Sequence, residues 1–135
     1  MFRELLEHPD IEEHVVLRGH HLPRTRRIGF MAYHGGGLEV MTEVIAQAAA
    51  ERCSASYYGV HQPKGMEVHV PSIEVSPAHS DRLRNFVDHI GTVITVHGYG
   101  RPGLYSSLLL GGRHRGFAEH IGVHLRRRLP VYDVV

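Results

Sequence analysis

Cysteine occurs once in these 135 residues, at Cys53. A single thiol excludes an internal disulfide and gives no support to a secreted, disulfide-stapled fold. At the end of a predicted helix, Cys53 reads as a small core residue. An excess of one charge is also missing: the net charge of +1 names no partner, and neither nucleic acid nor membrane is expected. No apolar run approaches the ~18 residues of a membrane span. The opening Met1-Phe2-Arg3-Glu4-Leu5-Leu6-Glu7 mixes acids into its apolar residues and does not read as a signal peptide, so a cytoplasmic location is expected. Internal repeats and low-complexity stretches are absent. The length predicts one domain, residues 1–135, taken as a monomer.

Lysine is nearly absent too, with fourteen arginines against Lys64 alone. Arginine clusters at Arg24-Thr25-Arg26-Arg27 and Arg126-Arg127-Arg128 suit attraction of an anionic substrate. The second also suits a helix C-terminus, where cations are favourable. Thirteen histidines are many for this length, so only position can single out a functional one. His20, His21, His61, His89, His114, His120 and His124 have no motif around them and are read as surface residues.

Apolar spacing predicts alternating strands and helices. Helices are expected at residues 2–7, from residue 38, from Ser76-Pro77 and over residues 114–129. Strands are expected at residues 13–18, 28–33, 54–60, 67–70, 92–96, 105–110 and from 131. Leu38, Met41, Ile45, Ala48 and Arg52 fall at the three- and four-residue steps of one helical face, with Glu39 in its first turn. Serine followed by proline is a good helix start, and Gly91 is placed for a left-handed cap. Residues 28–33 and 92–96 are continuously apolar, as interior strands buried on both faces should be. The pattern predicts an α/β protein: three-layer α/β/α with a mostly parallel mixed sheet and right-handed crossovers.

Two histidines then stand out. His34 follows the apolar run at 28–33, and His97 follows the run at 92–96. Glycine comes next in both, as Tyr33-His34-Gly35-Gly36-Gly37-Leu38-Glu39 and Val96-His97-Gly98-Tyr99-Gly100. The carboxyl ends of strands line the ligand crevice of an open α/β sheet. Two imidazoles and Glu39 at that edge suit a metal with three protein ligands and an open fourth position. Their ligand atoms are then expected within ~4 Å of one another. The bland alternative is a pair of polar strand-end histidines with Gly35-Gly36-Gly37 as a tight connection. A third reading, the oxyanion loop of lipases, requires a Gly-x-Ser-x-Gly elbow, and none occurs.

The chain resembles a known family at several points in order. These are His34-Gly35-Gly36-Gly37-Leu38-Glu39, Tyr57-Tyr58, Val68-His69-Val70-Pro71-Ser72, Thr95-Val96-His97-Gly98-Tyr99 and Leu110-Gly111-Gly112. Together they look like the poly-γ-glutamate hydrolase family, which has phage members and a zinc carboxypeptidase-like fold. The resemblance covers about residues 28–135. It implies zinc held by His34, Glu39 and His97, and hydrolysis of γ-glutamyl amide bonds in an anionic polyglutamate substrate. Two departures are visible: Pro71 stands where the family usually has threonine, and the family's Gly-Val-Gln-Leu-Glu-like strand has no match before Val135. That strand's glutamate is the expected general base, so the chain reads as truncated, with Glu74 the candidate base within it.

Arg101 and Arg113 each follow a glycine-rich turn and suit bidentate binding of a substrate carboxylate. His69 suits a substrate contact or a hydrogen bond to a ligand. Two other functions remain open: a non-catalytic metal- or polyanion-binding remnant, and a zinc carboxypeptidase-like peptidase acting on α-peptide bonds.

Overall fold

A computed structural model describes all 135 residues. They fall into two compact units, residues 1–98 and 99–135.

The first unit is built on a four-stranded sheet. Its elements are α1 (Phe2–Glu7), β1 (Glu12–Val16), β2 (Ile28–Gly36), α2 (Thr42–Cys53), β3 (Ser56–Gln62), α3 (Asp81–His89) and β4 (Thr92–Thr95). The strand order is β1-β3-β2-β4. β2 runs parallel to both β3 and β4, while β1 pairs antiparallel with β3. Alternate residues of β2 and β3 face opposite sides of the sheet. Met31, Tyr33, Tyr58 and Val60 pack with Phe2 and Leu5 of α1 and Leu83 and Phe86 of α3. Ala32 and Tyr57 pack with Ala46 and Ala50 of α2, joined by Ile28 and Phe30. Helices thus cover both faces, which bears out the α/β architecture.

Several expectations need correction. β4 is an edge strand, not an interior one; Val93 is well exposed. The buried face of α2 is Thr42, Ala46 and Ala50, whereas Met41 and Ile45 of the expected stripe are about half exposed. Small side chains let α2 lie close against the sheet, and Tyr57 fills the space. Cys53 is exposed, not core. Helix α3 starts at Asp81, where the Ser80 side chain accepts the Leu83 N–H; Ser76-Pro77 opens only a 3-10 turn. Gly91 is not a left-handed cap, because its φ is not positive. A Cβ there would lie 2.7 Å from the Arg24 carbonyl oxygen, so close backbone approach requires the glycine. Arg24 itself donates to the Asp88 and Val87 carbonyls at the end of α3, which gives the first arginine cluster a structural task.

Residues 67–70 form no strand. The fully buried side chain of Gln62 takes a strand's place: its Nε2 donates to Val68 O at 2.8 Å, and its Oε1 accepts the Val68 N–H at 2.9 Å. That pair of bonds holds residues 68–70 beside the end of β3.

The second unit contains β5 (Ser107–Leu108), α4 (Arg115–Arg128) and β6 (Asp133–Val134). β5 and β6 pair parallel in a two-stranded sheet, much shorter than the strands expected there. His114 caps α4 by accepting the Phe117 N–H, and three arginines occupy its last turn. No helix of the protein is long and apolar enough to cross a membrane.

Candidate metal centre

Because β2 and β4 are parallel neighbours, their carboxyl ends lie at the same edge of the sheet. The Val96 N–H still bonds to Met31 O at 2.8 Å, and His97 comes next. On the other side of β2, Ala32 pairs with Gly59 but Gly35 pairs with His61. Tyr33 and His34 therefore oppose the single residue Val60, a β-bulge. Bulges re-aim side chains beside functional sites, and here the Tyr33 and His34 rings come edge to face, 4.5 Å apart.

After β2 the chain folds back sharply. The Glu39 N–H bonds to His34 O at 2.9 Å, and the Gly37 N–H to Gln62 O at 2.8 Å. Gly36 has φ +74, and a Cβ on it would sit on the Gln62 carbonyl oxygen. Glu39 lies in this loop, before helix α2 rather than in its first turn. Its carbonyl accepts the Thr42 hydroxyl at 2.8 Å.

His34, Glu39 and His97 converge. One ligand atom from each lies within 4.8 Å of the others, somewhat looser than the expected ~4 Å for tetrahedral ligation. His34 Nδ1 is 2.8 Å and His97 Nδ1 3.3 Å from Glu39 Oε1. The side chains of His34 and Glu39 are 4% and 15% exposed, and that of His97 is 42% exposed. The group is thus enclosed on the His34 side and open on the His97 side.

The hydrogen bonds decide what these atoms can do. His34 Nε2 lies 2.7 Å from Val70 O. A carbonyl only accepts, so Nε2 carries the proton and donates. In a neutral imidazole, Nδ1 then has only a lone pair, aimed at a carboxylate oxygen that also has only lone pairs. Two acceptors at 2.8 Å repel unless positive charge lies between them, either a proton on Nδ1 or a metal cation. Metal-binding histidines commonly donate their other ring N–H to a carbonyl in this way. The 3.3 Å from His97 Nδ1 to Glu39 Oε1 equals the ligand separation of a tetrahedral ion with bonds of about 2.0 to 2.1 Å. The kinds of donor therefore suit a divalent metal, and the 2.8 Å pair and the 4.8 Å spread of the group would have to adjust to about this separation to ligate one.

Glu39 is held from behind, since its Oε2 accepts the Gly98 N–H at 2.8 Å. A Cβ on Gly98 would crowd the Glu39 side chain at 3.2 to 3.3 Å. Tyr33 sets its ring against both imidazoles, at 4.5 Å from His34 and 5.0 Å from His97. Burial pushes the Tyr33 hydroxyl above its usual pKa; a Ser72 hydrogen bond opposes this and the Glu39 charge adds to it.

The other candidate residues are placed as follows. His69 is exposed and stacks on His34, with ring centroids 4.6 Å apart. Glu74 lies in a 3-10 turn, outside the three-residue group, where its charge acts on the Met1 ammonium. Arg101 and Arg113 are exposed residues of the second unit. The Arg101 guanidinium sits 5.3 Å from the centre of the Tyr99 ring. Among the histidines read as surface residues, His61 is half-buried and bonds Glu43, and His89 meets the Arg27 guanidinium and reaches Arg18 O at 2.7 Å. Sequence reasoning gave no role to the Val70 carbonyl, the Gly98 N–H or Tyr33, although all three lie within or beside the motifs it singled out.

No curated protein and no solved structure matches the chain. The model of one family, described as poly-gamma-glutamate hydrolase, matches residues 1–129, beginning well before residue 28 where the motif resemblance starts. By that match over nearly its whole length, the chain belongs to the poly-gamma-glutamate hydrolase family.

Proposed function

We propose that this protein is a zinc-dependent hydrolase of the γ-glutamyl amide bonds in poly-γ-glutamate, with His34, Glu39 and His97 as the metal ligands. The observation that carries the reading is the placement of His34: its Nε2 lies 2.7 Å from Val70 O, which takes the ring's proton to that nitrogen, and its Nδ1 faces Glu39 beside His97. Two imidazoles and one carboxylate are a donor set of catalytic zinc. When bound, zinc supplies Lewis-acid polarisation of the scissile carbonyl and acidification of the attacking water.

The protein's own groups then have separable tasks. Val70 O fixes the His34 ring, and the Gly98 N–H fixes the Glu39 carboxylate. The half-exposed His97 leaves the approach to the group on its own flank. His69, exposed above the His34 ring, is placed to contact substrate there. Glu39 is the group's only carboxylate and is already engaged by three partners. The proton acceptor is then another group, and Glu74 is the candidate within residues 1–135.

Charge distribution supports a polyanionic substrate. Residues 99–135 hold six arginines against Glu119 and Asp133, whereas residues 1–98 hold nine cations against twelve acids. Only Arg126 of those six has a carboxylate partner, Glu119 at 2.9 Å. Arg101 and Arg113 are thus free to grip substrate carboxylates bidentately.

The test incubates the purified chain with poly-γ-glutamate and, in parallel, poly-α-glutamate, with and without a chelator and with zinc added back. The expected result is viscosity loss and oligomer release from the γ-linked polymer alone, abolished by chelator and restored by zinc. Bound zinc with no cleavage of either polymer would support the binding-remnant reading. Equal cleavage of the α-linked polymer would support the peptidase reading.

A further inference from the structure

The loop that carries His34 and Glu39 is fastened at its midpoint by a pair of residues with no place in the ligand group. Glu43, in the first turn of α2, accepts the Gly36 N–H with Oε2 at 2.8 Å. Its other oxygen, Oε1, meets His61 Nδ1 at 2.9 Å. His61 belongs to β3, where it pairs with Gly35. One carboxylate therefore ties the glycine loop, helix α2 and strand β3 together.

The fit around this carboxylate is close. A Cβ on Gly35 would lie 2.6 Å from Glu43 Oε2 and 2.8 Å from Val60 O. Two of the three consecutive glycines are thus required by the approach of β3 and Glu43. The Glu43 side chain is 16% exposed. Burial raises its pKa, but bonds from the Gly36 N–H, its own N–H and His61 outweigh this, holding the carboxyl below its ordinary range.

Gly36 sits between the two ligands in the chain, two residues after His34 and three before Glu39. Fixing its N–H limits the rotations by which His34 and Glu39 could separate. We propose that Glu43, oriented by His61, is a positioning pair for the metal centre and sets its affinity by holding the glycine loop. This rests on the metal reading above and adds residues that contact neither metal nor substrate. Outer-shell partners of metal ligands are typically worth ~10- to 100-fold in metal affinity. Glu43 acts one bond further out, through the backbone, so the lower half of that range is expected.

The experiment measures Zn²⁺ affinity of the full chain by competition with a chromophoric chelator, and the visible spectrum of the Co²⁺-loaded protein. Glu43→Ala should weaken zinc binding about 10-fold or more and alter the cobalt spectrum. Glu43→Gln should recover most of the affinity, because its amide oxygen can accept from Gly36 and its NH₂ can donate to His61. His61→Ala, at a half-exposed position, should give an intermediate loss and serves if Glu43→Ala does not fold. Parent-like zinc affinity in a folded Glu43→Ala, or in His61→Ala should the former fail to fold, overturns the proposal. So does a Glu43→Gln variant as weak as Glu43→Ala. A parent chain that binds no zinc overturns the metal reading itself, and this proposal with it.

Discussion

Replacing Gly36 with alanine should damage both the fold and the metal centre, and the structure allows the two costs to be separated. Gly36 has φ +74, a left-handed conformation that costs an L-residue about 1–2 kcal/mol. Gly65, in an open turn, has φ +93 and nothing within 4 Å of where a methyl group would project. Gly65→Ala therefore reports the strain alone. At Gly36 the added methyl would collide with the Gln62 carbonyl, a backbone group with no freedom to swing aside. The loop must shift, which breaks the Gly36 N–H bond to Glu43 and the Gly37 N–H bond to Gln62. The first, to a charged acceptor, is worth about 1.5–3 kcal/mol and the second about 0.5–1.5 kcal/mol. Gly36→Ala should thus cost about 3–6 kcal/mol, a large part of the 5–15 kcal/mol typical of a domain. Urea denaturation of both variants, with and without zinc, is the assay, with unchanged m-values required for the comparison. Zinc should stabilise Gly65→Ala as it does the parent and stabilise Gly36→Ala much less. If the two variants differ by less than about 0.5 kcal/mol, the close approach of the loop to β3 is wrong.

His34→Ala and His97→Ala should each lower zinc affinity by more than the ~10- to 100-fold of an outer-shell change, read by the same chelator competition; a bound stoichiometry of one zinc in either variant at micromolar zinc would contradict the ligand assignment. Stability should be full below pH ~10 and fall above it, because burial pushes Tyr57 up to about 12 and Tyr58 higher still while unfolded tyrosines ionise near 10. Each resisting tyrosine contributes up to about 1.4 kcal/mol of loss per pH unit between the unfolded and folded values, so the urea midpoint at pH 11 should lie clearly below that at pH 9, and a flat profile would refute the burial of this pair. Binding of poly-γ-glutamate should weaken as NaCl rises from ~50 to 300 mM, over which the Debye length shortens; Arg127→Ala with Arg128→Ala should flatten that dependence, and an unchanged slope would count against the basic second unit as a substrate contact.

How far the site is legible in the sequence depends on whether each contribution leaves a mark on residue type. His34, Glu39 and His97 are readable because strand-like runs end in His-Gly, and parallel neighbours bring their ends to one edge. The edge position of β4 is not readable: a run such as Thr92-Val93-Ile94-Thr95 suits burial on both faces, yet nothing in it counts the strands beyond. The face of α2 is misread when periodicity is weighted by size. Met41 and Ile45 look like core residues, but helix and sheet approach closely only through Ala46 and Ala50. Residues 67–70 have strand composition, and a side chain, Gln62, supplies the pairing that a neighbouring strand would have given.

The repeated His-Gly pairs show how one dipeptide can be required for different physical reasons. Both glycines suggest loops that fold freely after a strand. Gly35 nevertheless has no need of a left-handed φ; it is required because Glu43 and Val60 O occupy the space a side chain would fill. Gly98 is required by a different neighbour, the Glu39 side chain that its N–H binds. One glycine admits the carboxylate that fastens the loop, and the other admits the carboxylate that the loop presents to the two histidines. The same dipeptide thus serves two separate contacts, one with Glu43 in the first turn of α2 and one with Glu39 in the segment between β2 and α2. A substitution at Gly98 should accordingly act on Glu39 without disturbing the loop anchor, whereas one at Gly35 should act on the anchor first and on His34 and Glu39 only through it.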